Sequence, residues 1–185
     1  WTPQGKLNAN QSWYFEDVST KPVTQIEYGA VYQLMARHSG RYVSVSGGAT
    51  SVGARTEQWA QGYYDYQKFV VKKYANTDYY TLAPVNAPDK LLTATTISTD
   101  YDCEYIELGD SIINDSKLFK FVYDAKRNAY KICPKSSLDK CFAVAFSYCT
   151  DSASVVISAD KDTDNRYFML EKISDVITSS ATYQD

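Results

Sequence analysis

The chain has 185 residues with 19 Lys and Arg against 22 Asp and Glu, a formal net charge of -3. That size suits one domain with a proper core, and the balance lacks the basic stripe of a nucleic-acid binder. No apolar run reaches the ~18 residues that a membrane span needs, so none is expected.

Residues 1–28 stand outside the regular pattern and are expected to be an N-terminal arm or the remnant of a preceding domain. Within them Asn10-Gln11-Ser12-Trp13-Tyr14-Phe15 reads as the closing strand of another unit, and Lys21-Pro22-Val23 as a linker. From residue 29 to residue 173 one pattern is written three times. Its units open at Val31-Tyr32-Gln33-Leu34, Tyr79-Tyr80-Thr81-Leu82 and Ala129-Tyr130-Lys131-Ile132, and they close at Gln67-Lys68-Phe69-Val70, Lys117-Leu118-Phe119-Lys120 and Arg166-Tyr167-Phe168-Met169. The opening tyrosines step by 48 and 50, the closing phenylalanines by 50 and 49. A fixed period of this length marks a supersecondary unit that cannot bury its apolar face alone and closes against its copies.

Inside each unit the apolar residues alternate over short runs, as in Tyr32, Leu34 and Ala36. Turn signals such as Ser39-Gly40, Ser46-Gly47-Gly48 and Asn86-Ala87-Pro88-Asp89 bound them, and no sustained helical period occurs. The first repeat is read as strands at 30–36, 41–46, 54–60 and 67–73. The second gives 79–84, 91–95, 104–108 and 118–123, and the third 129–133, 141–146, 154–159 and 166–172. Twelve strands in three copies predict an all-β fold, a β-trefoil with three repeats of about 48–50 residues. Tyr32/Tyr80/Tyr130, Val45/Ala94/Val144 and Phe69/Phe119/Phe168 are expected to meet near its threefold axis. Residues 174–185 are expected to be a polar tail. Seventeen tyrosines against seven phenylalanines fit half-buried strand faces, where an apolar ring carries a wet hydroxyl, and leave some rings to stack on sugars or peptides.

The four cysteines, Cys103, Cys133, Cys141 and Cys149, allow three pairings. A disulfide across the base of the turn Pro134-Lys135-Ser136-Ser137-Leu138-Asp139-Lys140 would join Cys133 to Cys141 and leave Cys103 to meet Cys149. Disulfides imply an oxidising compartment, hence a secreted or extracellular protein; four reduced thiols are the alternative. No CxxC occurs and His38 is the sole histidine, so no metal site and no cofactor are expected. Asp160-Lys161-Asp162-Thr163-Asp164 alternates acids as a calcium loop does, yet lacks the glycine and distal glutamate of one, and reads as a hairpin turn. His38 lies beside Ser39-Gly40 with no nucleophile motif near it, so no catalytic residue is assigned.

Ser39-Gly40-Arg41-Tyr42-Val43-Ser44-Val45, Gly53-Ala54, Glu57-Gln58-Trp59 and Gln67-Lys68-Phe69 together resemble one repeat of a ricin-type β-trefoil lectin. Asn165-Arg166-Tyr167-Phe168 is similar to its closing signature, and Gln11-Ser12-Trp13 matches that signature best. The resemblance implies up to one shallow sugar pocket per repeat. An aspartate on the second strand accepts from sugar hydroxyls, an aromatic stacks on the ring face, and a polar residue precedes the closing motif. Those places hold Ser44, Thr93 and Ala143; Trp59, Leu108 and Ser158; and Tyr66, Ser116 and Asn165 in this chain. None of the first set is acidic and only the first repeat keeps the aromatic, so the second and third repeats are expected to be silent.

The expected function is an extracellular carbohydrate-binding module, the targeting part of a larger glycan-degrading enzyme, toxin or adhesin, with a glycan or glycoconjugate as partner. Its candidate site is Ser44, Glu57, Gln58, Trp59, Tyr63, Tyr64 and Tyr66. Two alternatives stand beside it. Tyr130-Lys131-Ile132-Cys133-Pro134 followed by Asp139-Lys140-Cys141 is similar to the disulfide hairpin of Kunitz soybean-type trefoil inhibitors, and Ser-Gly-Arg-Tyr-Val-Ser-Val runs also occur in protein-interaction trefoils of the actin-crosslinking sort.

Overall fold

The computed structural model describes residues 23–98 and 102–174; the Gln11-Ser12-Trp13 run and the tail beyond Ser174 lie outside the described residues. Twelve strands run in the order β1 (Val31–Ala36), β2 (Arg41–Val45), β3 (Thr56–Trp59), β4 (Phe69–Lys73), β5 (Tyr79–Pro84), β6 (Leu91–Ser98), β7 (Glu104–Gly109), β8 (Phe119–Asp124), β9 (Ala129–Pro134), β10 (Lys140–Val144), β11 (Val155–Ala159) and β12 (Phe168–Ser174). All twelve expected strands are present. The closing strands begin two residues later than expected in the first and third repeats and one later in the second, because the closing motif first makes a 3-10 turn, at Asp65–Gln67, Asp115–Lys117 and Asp164–Arg166. Ser174, expected in the tail, ends β12.

Six strands form a closed barrel. Their antiparallel order is β12-β9-β8-β5-β4-β1, and β1 pairs back onto β12. The repeat of the sequence is a repeat of register: Tyr32 faces Phe69, Tyr80 faces Phe119, and Tyr130 faces Phe168. The other six strands make three hairpins, β2-β3, β6-β7 and β10-β11, and these touch one another in a triangle. Its sides are Arg55 against Glu107, Val156 against Tyr105, and Glu57 against Ser154. The fold is a β-trefoil.

Phe69, Phe119 and Phe168 are fully buried in one core with Val45, Val144 and Ala94. Phe142 meets Phe119 edge-on at 5.3 Å and Phe168 at 6.1 Å, a favoured geometry for aromatic pairs. Each such ring is worth roughly 1.5–3 kcal/mol when withdrawn from water. At the barrel end away from the hairpins, residues 23–27 pack over the opening tyrosines. The Tyr130 hydroxyl donates to Val23 O, and the Tyr32 hydroxyl accepts from Glu27 N at 2.9 Å. Val23 and Ile26 are half-buried against the core there.

Cys133 and Cys141 form the disulfide across the hairpin base. The second expected pair is not made: Cys103 and Cys149 are free thiols, the latter exposed. His38 is half-buried rather than solvated, its Nε2 2.9 Å from Tyr148 O. The alternating acids of 160–164 are ion-paired. Asp160 holds Lys131 at 2.6 Å, Asp162 holds Arg127 at 3.0 Å, and Asp164 holds Arg37 at 3.0 Å. The Tyr167 hydroxyl, donating to Asp162 at 2.7 Å, keeps that carboxyl below its usual range, and Arg127 adds to the effect.

Candidate functional site

One feature of the closing motif organises the hairpin end of every repeat. Gln67, Lys117 and Arg166 are all buried, and each donates to a carbonyl of the loop just before it. Gln67 Nε2 reaches Ala60 O at 3.0 Å, Lys117 Nζ reaches Ile112 O at 2.8 Å, and Arg166 Nε reaches Ala159 O at 3.0 Å. Each of these buried side chains needs an acceptor for its N–H. The signature read in the sequence is therefore a loop clamp, and the residue type is free to vary provided that it carries an N–H.

In the first repeat this clamp shapes an aromatic surface. Gln67 Oε1 also accepts from Gly62 N at 2.7 Å, and Gln33 Nε2 donates to Gly62 O at 2.9 Å. The loop fixed in this way projects Tyr63 and Tyr64, 79% and 57% exposed, beside Trp59, which is 41% exposed at the end of β3. Tyr64 stacks on Tyr66 with ring centroids 5.0 Å apart and planes 6° apart. Burial raises the Tyr66 hydroxyl pKa, and the neighbouring Tyr64 and Glu57 add to it, which keeps this phenol a neutral donor. Trp59 lies opposite Tyr42 in the β2-β3 ladder, and Glu57 lies opposite Ser44.

Two of the expected site residues are buried, Ser44 on the face that carries Glu57 and Trp59 and Gln58 on the opposite, inward face. Ser44 is buried, its hydroxyl donating to Val45 O at 3.4 Å. Gln58 is 0% exposed, and its amide is fully engaged. Its Nε2 donates to the carbonyls of Tyr148 and Thr150, each at 2.8 Å, while its Oε1 accepts from Ser39 Oγ at 2.7 Å. Gln58 thus ties the 147–151 loop of the third repeat to the first. The exposed members of the set are Trp59, Tyr63 and Tyr64, with Glu57 and Tyr66 half-buried beside them. In the second repeat the stacking place is closed, since Leu108 is buried.

The third repeat, expected to be silent, holds a cavity of ≈ 480 Å³. Its walls are the end of β10 and the turn after it (Ala143 to Ser147), Ser154 with the outward face of β11 (Val156, Ser158), the side chains of Lys161, Thr163, Asn165 and Arg166, and Cys103 and Tyr105 from the β7 region. Asn165 Nδ2 pins Val144 O at 2.8 Å, and Arg166 Nη2 donates to Ser158 Oγ at 2.9 Å. At the rim Phe146 is 54% exposed and packs on Tyr148 with centroids 5.3 Å apart. Phe146 and Ser147 both have left-handed backbones, with φ of 54° and 55°. The same turn in the first repeat uses Gly47 and Gly48, with φ of 60° and 66°. An aromatic is thus held where glycine is the unstrained choice. Laying Ala145-Phe146-Ser147 over Ser46-Gly47-Gly48 would have flagged it from sequence.

The symmetric trefoil thus carries an aromatic surface at one hairpin and a largely apolar cavity at another. The chain belongs to the ricin-type beta-trefoil lectin domain-like family, which matches residues 9–103. No curated protein matches the sequence significantly. Among solved structures, the designed threefold-symmetric protein ThreeFoil is similar at 25% identity and a TM-score of 0.70, over 77% of this chain and 99% of that one. A ricin B-like lectin of Macrolepiota procera, solved in complex with lactose, aligns at 14% identity and a TM-score of 0.64, over 81% of this chain and 100% of that one. The exo-beta-1,3-galactanase 1,3Gal43A of Clostridium thermocellum aligns at 18% identity and a TM-score of 0.71, over 80% of this chain but only 31% of that one.

Proposed function

We propose that this chain is a carbohydrate-binding module that works outside the cell as the targeting part of a larger glycan-degrading enzyme, toxin or adhesin. Family membership supports sugar binding in general. The observation that carries it here is the exposed group of Trp59, Tyr63 and Tyr64 beside Glu57 and Tyr66. The C–H face of a pyranose needs a flat apolar partner and its hydroxyls need fixed acceptors and donors, and this group offers both. Ser44 and Gln58 support that surface from beneath. The third-repeat cavity, rimmed by Phe146, is a second site. Two modest sites on one body, joined to a further domain, bind a polymeric glycan through avidity rather than single-site strength. The Cys133–Cys141 disulfide supports an oxidising compartment.

A glycan array followed by calorimetry on the best ligand tests this reading. Trp59→Ala and Tyr64→Ala are expected to weaken binding at least tenfold with the fold intact. Wild-type protein that binds no glycan sinks the proposal, and unchanged binding by both variants removes the first-repeat surface from it. The trefoil-inhibitor alternative has the Cys133–Cys141 hairpin in its favour. Titration against trypsin-like and papain-like proteases decides it, inhibition supporting the inhibitor and its absence leaving the lectin.

A further inference from the structure

The three loop clamps carry different charges, and only two of them are balanced. Gln67 is neutral. Lys117 brings a buried ammonium, and Asp110 supplies its counter-ion. Arg166 brings a buried guanidinium, 8% exposed, with no ion-pair partner among the described residues. Its N–H groups reach only neutral acceptors: Ala159 O at 3.0 Å, Thr163 Oγ1 at 2.6 Å, Asn165 Oδ1 at 3.0 Å and Ser158 Oγ at 2.9 Å. A guanidinium has five N–H donors, so one remains uncommitted. Withdrawing an ion from water is costly, and buried charges are ordinarily paired.

Arg166 lines the third-repeat cavity, as does Lys161, which also has no ion-pair partner among the described residues. Among the described residues no carboxylate lines that cavity. Most acids beside it in sequence are spent on other cations: Asp160 on Lys131, Asp162 and Asp164 on Arg127 and Arg37, and Glu104 on Lys140, while Asp102, next to Cys103, acts on the same Lys140 from a distance. The cavity is therefore a cationic recess in a chain of net charge -3, with an aromatic ring at its mouth.

We infer that this cavity takes an anionic saccharide, a sugar residue bearing a carboxylate or a sulfate ester. The anionic group sits toward Arg166 and Lys161, where it supplies the missing counter-charge, and the sugar ring lies against Phe146. A strained aromatic at the rim gives the ring a partner that a simple anion would not use. The inference rests on the carbohydrate-binding reading and narrows it for one of the two sites.

The test is an NMR titration of the isotope-labelled full chain with matched pairs, glucuronate against glucose and galactose 6-sulfate against galactose, with inorganic sulfate as a further probe. Runs at about 10 mM and about 300 mM salt separate the charge contribution, because the Debye length falls from roughly 30 Å to less than about 8 Å between them. The acidic member of at least one pair is expected to shift the amides of Phe146, Ser147 and Ser154 at tenfold lower concentration than its neutral partner, and to weaken with salt. Lys161→Glu is expected to cost at least fivefold. Arg166→Gln installs the residue that the first repeat already uses as its clamp, so the loop stays held while the discrimination between acid and neutral sugar disappears. Equal response to both members of each pair, indifference to Lys161→Glu, or inorganic sulfate binding as tightly as the sulfated sugar overturns the inference. Which pair responds decides between carboxylate and sulfate. Neutral sugars that shift Trp59 while the Phe146 amide ignores every acidic probe defeat this inference alone; silence at both sites toward all sugars defeats the carbohydrate reading itself.

Discussion

The ring of Tyr66 lies over Gly48 so closely that a Cβ on that glycine would stand 2.8 Å from Tyr66 Cδ1. Gly48 also has a φ of 66°, which costs a side-chain-bearing residue about 1 kcal/mol or more. Glycine is thus required twice at this point, by backbone and by neighbour. Gly48→Ala is expected to lower stability by about 1–2 kcal/mol and to push Tyr66 out of its stack with Tyr64. Denaturant melts would register the first effect, and a several-fold loss of glycan affinity the second. Unchanged affinity would mean that the Tyr64–Tyr66 stack is no part of the binding surface.

Gln58 joins the first repeat to the third through two backbone carbonyls. Gln58→Leu keeps the volume but leaves Thr150 O and the Ser39 hydroxyl without this partner, and Tyr148 O with His38 Nε2 in its place. A buried polar group stranded in this way costs about 1–3 kcal/mol, so a loss of about 2–4 kcal/mol is expected. Urea unfolding measures it. Faster hydrogen exchange in residues 147–151 would localise the damage to the tether.

The fold was legible because its period survives in large residues. Tyr32, Tyr80 and Tyr130 with Phe69, Phe119 and Phe168 are ring pairs facing each other across barrel strands, and a barrel cannot move them without opening its core. The site was less legible for a related reason. Glu57, Gln58 and Trp59 are consecutive in β3, so strand alternation sends Gln58 inward while its neighbours face out. A motif match takes all three together. The third-repeat cavity is not marked by the family pattern, because that pattern has an acidic residue and an aromatic at fixed places. The aromatic instead sits in the turn, at Phe146, and the charge is basic. The missing second disulfide reflects what spacing leaves out: nothing in a count of cysteines says that Cys149 turns toward the carbonyls of His38 and Ser147.

Reduction of the Cys133–Cys141 bridge is expected to weaken the domain without unfolding it. The bridge closes a short loop, eight residues apart in sequence, for which chain entropy predicts about 2–3 kcal/mol. Lys140 to Val144 also remain laddered to β11 in its absence. A drop of that size in denaturant midpoint between oxidised and reduced protein checks it. A change below about 0.5 kcal/mol would show that the hairpin is already as constrained in the unfolded chain.

Alkaline pH is expected to loosen the barrel end that residues 23–27 cover. Burial pushes the Tyr130 hydroxyl up to about 12, with the neighbouring Tyr123, Tyr32 and Tyr80 adding to it. In an unfolded chain the same group ionises near 10. Between those values the folded state holds a proton that the unfolded state has lost, so stability falls as pH rises through this window. Below about pH 10 the contribution is fully present. Tyr130→Phe should flatten the fall between pH 10 and 12 in melts followed across that range. A variant with the wild-type slope would assign the effect to the other raised tyrosines, Tyr32, Tyr42, Tyr66, Tyr80 and Tyr167.

Phe146 sets stability against binding. Its left-handed backbone is one that glycine adopts at lower cost, as Gly47 does in the first repeat, while its exposed ring packs on Tyr148. Phe146→Gly is therefore expected to stabilise the domain by up to about 1 kcal/mol through relief of that strain, offset in part by the greater freedom of glycine in the unfolded chain. The same change should abolish ligand binding at the third-repeat cavity while the Trp59 surface keeps its own. A residue retained only by accident would show the gain without the loss. Thermal melts and glycan titration on one preparation distinguish the two outcomes, because a stabilised variant that has lost binding cannot have lost it by unfolding.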